Sequence, residues 1–172
     1  MSLLDEVYAS NPSDKILYTT LELLHSAFDY QSPAGVIRLC SGFDDLTATL
    51  EAGAPFDPSA AVVFTASGLA IRAPNKGIKG RQEMTITLDA VSGEVIEQLE
   101  QVIAAPREPI KAILRYFVSS DLSEPQNIPY QMTVINPSVS PEQVTARAVF
   151  TDVLNKSYPA INYTLQSHPG LA

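Results

Sequence analysis

The sequence predicts an α+β fold that is mainly β: an antiparallel β-sandwich or barrel with one central helix at about residues 92–105 and a short N-terminal helix. Three observations carry this. Residues 83–89 alternate cleanly, with Met84, Ile86 and Leu88 on one face and Thr85, Thr87 and Asp89 on the other. The stretch after them switches to a helical period and stops at Pro106. The other apolar runs are short and rich in β-favouring residues, with thirteen prolines scattered among the loops between them. At 172 residues and 45% apolar, the chain is expected to form one domain, 1–172, burying roughly 70% of its unfolded surface without disulfide or metal.

In order along the chain, Leu3 to Ala9 predicts a short amphipathic helix stopped by Asn11-Pro12. From Lys15 to Ser26 two periods compete. Ile16, Leu17, Leu21, Leu23 and Leu24 fit a helix capped by Ser13 or Asp14, whereas Tyr18-Thr19-Thr20 favours a strand with Thr19, Leu21 and Leu23 on one face. The strand is preferred, and with Gly35 to Leu39 it makes a hairpin across the turn-rich 28–34 segment. Leu46 to Glu51 predicts a weaker strand, bounded by Asp44-Asp45 and by Gly53 to Pro58. Ala61 to Phe64 and Leu69 to Arg72 flank Ala66-Ser67-Gly68, which reads as a hairpin turn or as a glycine bulge in one long strand.

Residues 74–82 lack apolar periodicity and hold three of the eleven basic residues, which predicts an exposed loop. After the 83–89 strand, Ser92 is a good N-cap, and Val91 with Ile96 forms a hydrophobic staple. Val95, Ile96, Leu99, Val102 and Ile103 are the helix's buried stripe, opposite Glu94, Glu97, Gln98 and Gln101. Strands follow at Ile110 to Ser119, Tyr130 to Asn136 and Val144 to Val153, and Ile161 to Leu165 adds a last short one after an Asn155 to Pro159 turn.

Composition bounds the chemistry. Eleven Lys and Arg against nineteen Asp and Glu give a net charge of −8, which argues against coating nucleic acid or an anionic membrane. No apolar run reaches the roughly 18 residues of a membrane span, and the Met-Ser-Leu-Leu-Asp-Glu start lacks the layout of a signal peptide, so a soluble, unprocessed chain is expected. Cys40 is the single cysteine and sits in an apolar strand, so a small buried hydrophobe in a reducing compartment is its reading. His25 ends an apolar run and His168 lies in the tail, with no metal-binding spacing between them. Asp44-Asp45 reads as a turn former, and neither a nucleophile elbow nor a phosphate loop is present. The expectation is a protein that is not an enzyme, with no cofactor and no metal; His25, Asp44 and Asp45 are the only residues worth considering for a hydrolytic reading.

Several short features stand in register across the chain: Val36-Ile37-Arg38 followed by Asp44-Asp45-Leu46, Thr85-Ile86-Thr87-Leu88-Asp89 running into Val91-Ser92 and Glu94-Val95-Ile96-Glu97, and Arg107-Glu108-Pro109. A closing signature follows at Phe150, Asp152, Leu154, Asn155, Tyr158-Pro159, Tyr163 and Pro169-Gly170-Leu171. Together they resemble a phage protein family that is catalogued as a domain of unknown function and encoded among the tail-tip genes of long-tailed phages. More distantly, the order of elements is similar to lambda-like minor tail proteins and to the ring domain of distal tail proteins, although residues 1–60 have no counterpart there.

This resemblance implies a structural virion protein of the tail tip, or baseplate, made in the host bacterial cytoplasm. It implies a ring of three or six copies between the tail tube and a central hub or fibre, adapting sixfold to threefold symmetry. The implied partners are further copies of the chain, the tail tube protein, the hub or fibre protein and the tape-measure protein. Lys76, Lys79 and Arg81 are the interface residues expected on this reading, with the 121–129 loop as a second arm. The alternative is a tail assembly factor or chaperone that is not retained in the virion.

Overall fold

The computed structural model describes residues 3–10, 12, 14–29, 34–72, 83–89, 93–104, 108–140 and 143–150. Its elements are α1 (Leu3–Ser10), β1 (Leu17–Leu24), β2 (Val36–Ser41), β3 (Leu46–Thr49), β4 (Ala61–Arg72), β5 (Glu83–Asp89), α2 (Gly93–Ala104), β6 (Lys111–Val118), β7 (Tyr130–Val139) and β8 (Gln143–Val149). The eight strands follow the order β2-β1-β6-β7-β8-β5-β4-β3, and β4 also pairs with β2. That last pairing is parallel, Leu39 to Ser41 against Thr65 to Ser67, and it closes the sheet into a barrel with β3 appended to β4. Closure removes most free edges, which an open sheet of this length would expose to aggregation.

Alternation along each strand sorts side chains into an interior and an outer face. Leu21, Leu23, Ile37, Leu39, Met84, Ile86, Leu88, Leu114, Met132 and Val134 fill the interior. Helix α2 crosses from β5 to β6 and lies against β7, adding Val95, Leu99 and Val102 to the same core. Of the predicted stripe, Val95, Leu99 and Val102 are buried, and Ile96 and Ile103 are half-buried. The predicted cap at Ser92 and stop at Pro106 lie outside the described residues.

The β1–β2 hairpin forms as expected, with Thr20 opposite Cys40 and Leu24 opposite Val36. Strand β1 is buried on both faces from Thr20 to Leu24, which is why its period was ambiguous: an outer face that is also covered stops alternating in polarity. The cover is the 42–60 segment. Leu46, Ala48, Leu50 and Ala54 pack on Cys40 and Phe117, and Phe56 packs on Leu24, Val36 and Ile113, all on the outer face of β2-β1-β6.

Of the two readings left open for 61–72, one long strand is what forms. A Cβ on Gly68 would stand 2.8 Å from the Asp89 carbonyl oxygen, so the glycine permits a close approach of β4 to β5. Strand β7 continues past Asn136, its expected end. Asn136 takes a left-handed φ of 48°, and the β7–β8 register shifts between Ile135 and Ser138, so a bulge carries the strand past Pro137.

Candidate functional site

Beneath the 42–60 cover lies a chain of buried charges. Glu22 on β1 and Arg115 on β6 are fully buried, and Arg38 on β2 is 3% exposed. Glu22 holds both arginines: its Oε1 accepts from Arg38 Nε at 3.0 Å and its Oε2 from Arg115 Nη1 at 2.8 Å. The cover supplies the other two carboxylates. Arg115 donates twice to Glu51, Nε to Oε2 and Nη2 to Oε1, both at 2.8 Å, and Arg38 Nη2 donates to Asp57 Oδ2 at 2.9 Å.

Bidentate arginine–carboxylate pairs are directional as well as strong, so this network fixes where the cover sits on the barrel. Asp57 and Ser59 both take left-handed backbone conformations, with φ 49° and 58°, in the turn that delivers the Asp57 carboxylate. Burial raises the pKa of Glu51, but hydrogen bonds and charge from Arg115 outweigh it and leave the carboxyl below the ordinary glutamate range. Burial likewise works against the charged Arg115, and Glu51 and Glu22 reverse it, raising its pKa above the ordinary arginine value.

A lowered carboxyl contributes stability that is present above the ordinary glutamate pKa and lost as pH falls through the lowered value. Thermal midpoints of the native chain and of Glu51→Gln are accordingly expected to differ at pH 7 and to converge as pH falls below the ordinary glutamate range. Curves that stay parallel would show that Glu51 is not held by Arg115.

Beside the cover, where Phe56 ends it, a groove of about 490 Å³ runs over the outer face of β6 and β7. Its floor is Leu24 and Ile113, and its rim carries His25, Ser26, Glu108, Lys111 and Gln131. The His25 ring is engaged on both nitrogens. The Ala27 N–H donates to Nδ1 at 3.1 Å, so Nε2 carries the proton and donates to the Glu108 carbonyl, also at 3.1 Å. Ser26 Oγ donates to Glu108 Oε2 at 2.8 Å. His25 thus ties the end of β1 to the segment before β6.

The acidic candidates stand elsewhere. Asp44 and Asp45 follow the far end of β2, roughly 20 Å of strand from the Gly35 end that His25 touches. Asp45 accepts the Ala66 N–H at 2.8 Å, which ties the β2–β3 turn to β4. The structure therefore does not bring His25 together with Asp44 and Asp45. Cys40 is buried against the Asp44 and Phe64 carbonyls, and burial, moderated by the Leu46 N–H and reinforced by the Asp45 charge, pushes its thiol up and away from reactivity. Lys76, Lys79, Arg81 and His168 lie outside the described residues. Among those described, no three His, Cys, Asp or Glu side chains are placed to share a metal ion, and no helix is long and apolar enough to cross a membrane.

The outward surface is more telling. Phe43, at the β2–β3 turn, is fully exposed, and Ile128 is 87% exposed at the tip of the 121–129 loop. That loop is tied down: Gln126 N–H donates to the Tyr116 carbonyl at 2.9 Å, and Asn127 Oδ1 accepts the Tyr116 N–H at 2.7 Å, which extends the β6 edge. Strand β3 is an edge. Thr49 N–H points away from β4 to the Leu122 carbonyl, so by antiparallel alternation the Thr47 N–H and C=O also point outward, and among the described residues none meets them. Neither β3 nor the Ala61 to Phe64 segment it pairs with carries a charge, a proline or a bulge.

Over residues 2–163 the chain matches the model of a protein family described as a domain of unknown function, DUF1833. The protein belongs to the DUF1833 family. No curated protein matches it. Of the closing signature, Phe150 to Tyr163 lies within that match and Pro169-Gly170-Leu171 beyond it; in this DUF1833 chain the matched span takes in the whole barrel, its cover and α2.

Proposed function

We propose that this DUF1833 protein is a structural component of the tail tip of a long-tailed phage, forming a ring of three or six copies between the tail tube and the central hub or fibre. The observation that carries this reading is the fully exposed Phe43 at the β2–β3 turn, beside an uncharged β3 edge that the 121–129 loop covers at Thr49 and leaves open at Thr47. Natural proteins guard exposed edges with lysine, proline or bulges, and an unguarded one is a template for pairing with another chain. The body presenting it is rigid: the barrel closes on itself, and no buried side-chain polar atom among the described residues lacks a hydrogen bond.

On this reading the partners are neighbouring copies, the tube protein, the hub or fibre protein and the tape-measure protein, and the site of action is the virion. Mass spectrometry of purified particles tests it. Stoichiometric presence of the chain supports a virion component, and its absence from particles that required it for assembly transfers the role to an assembly factor.

A further inference from the structure

Two surface patches of opposite charge lie at separate places on the barrel. Arg72 on β4, Thr85 on β5 and Arg147 on β8 are register partners in one row across three neighbouring strands. All three are exposed and share the outer face, which places the two arginine backbones two strand spacings apart, roughly 10 Å. Neither guanidinium has a hydrogen bond or ion pair among the described residues, and Glu83 stands at the margin of the same face. Glu83, two residues before Thr85 on β5, offsets part of this charge, and the row as a whole is positive on a chain of net charge −8.

The second patch is the β2–β3 turn. Its Phe43 ring is fully exposed, and the Asp44 carboxylate beside it is exposed without a partner. An aromatic face and a carboxylate are the two groups to which guanidinium binds best, by stacking and by charge-assisted hydrogen bonds. The turn meets β4 near Ala66, through the Asp45 bond, and Arg72 is six residues further along that strand, about 20 Å away. The patches are too far apart to satisfy each other within one chain and far enough apart to be used at the same time.

We infer that the occupant of the arginine row is the Phe43–Asp44 turn of a second copy of this chain, so that copies join head to tail. Charge complementarity selects this occupant: two acidic copies repel unless a cationic patch of one meets an anionic patch of the other. Joining unlike patches is a heterologous contact, which propagates and closes into a ring when the rotation permits. The inference rests on the ring reading above and gives it a specific contact.

The test is sedimentation of the purified full-length chain up to millimolar concentration, with two double variants that alter only exposed side chains. Arg72→Gln with Arg147→Gln removes the row's charge, and Phe43→Ala with Asp44→Asn removes the turn's ring and charge, so that neither variant creates a new complementary pair. Each is expected to keep the native circular dichroism and melting curve and to weaken self-association by about 100-fold or more, as does raised salt for the unaltered chain. Mixing the two variants leaves one competent contact per pair, so a dimer and nothing larger is expected. Native-strength association by either variant, larger assemblies in the mixture, or a native chain that stays monomeric throughout would each overturn the head-to-tail contact. The tail-tip reading itself stands or falls separately, on whether the chain is found in particles.

Discussion

Arg115→Ala is expected to destabilise the protein by about 3–5 kcal/mol in a urea titration. The side chain is fully buried, and its loss strips Glu51 of its bidentate partner and leaves the fully buried Glu22 with Arg38 alone. Most of the cost is the desolvated carboxylate left behind, because a buried pair contributes little net while a buried single charge is expensive. That account makes a second demand. Replacing Glu22 together with Arg115, as Glu22→Leu with Arg115→Met, removes both charges, keeps apolar volume and leaves Arg38 its Asp57 partner. The double variant is expected to be more stable than Arg115→Met alone, which keeps the same volume and leaves Glu22 with Arg38 only. If it loses as much as the two single substitutions summed, Arg115 acts by packing volume and the network account fails.

The second large effect concerns the core. Leu99 is 3% exposed and sits among Leu21, Leu23, Ile86 and Val134, where α2 meets the barrel interior. Leu99→Ala is expected to cost about 2–5 kcal/mol, the lost transfer of the side chain plus the cavity left behind. Glu97→Ala, two residues earlier on the exposed face, is expected to stay within about 0.5 kcal/mol. A loss much below 1 kcal/mol for Leu99→Ala would mean that α2 does not seal this core.

These two sites differ in how far the sequence reveals them. The α2 stripe is legible because a helix with one solvated face announces its period, and β5 is legible because its outer face stays polar at Thr85, Thr87 and Asp89. The charge network is not. Its bonds join residues 16, 64 and 93 positions apart, and periodicity reports which face a residue is on but never its partner. A trace does exist in retrospect. Glu22, Arg38 and Arg115 each interrupt an apolar strand, and their outer-face neighbours Leu24, Val36, Cys40, Ile113 and Phe117 are themselves apolar. An apolar outer face requires a cover, and the 42–60 segment, read from sequence as one weak strand between turns, is that cover.

The same limit applies at the surface. The turn chemistry of Gly42 to Asp45 marks a loop, but the exposure of Phe43 depends on where β3 sits against β4. Arg72 and Arg147 are 75 positions apart in sequence, and only the shared register with Thr85 aligns them. The basic segment at Lys76, Lys79 and Arg81 was the sequence's own interface candidate, and it directly follows the strand that ends at Arg72.

Electron microscopy of intact particles, with the symmetry determined and the chain traced in density, tests the central claim most directly. The account predicts this barrel in a closed ring of three or six copies at the tail tip, with β3 edges and Phe43 turns facing neighbouring copies. A well-resolved tail tip without density for this chain would contradict it.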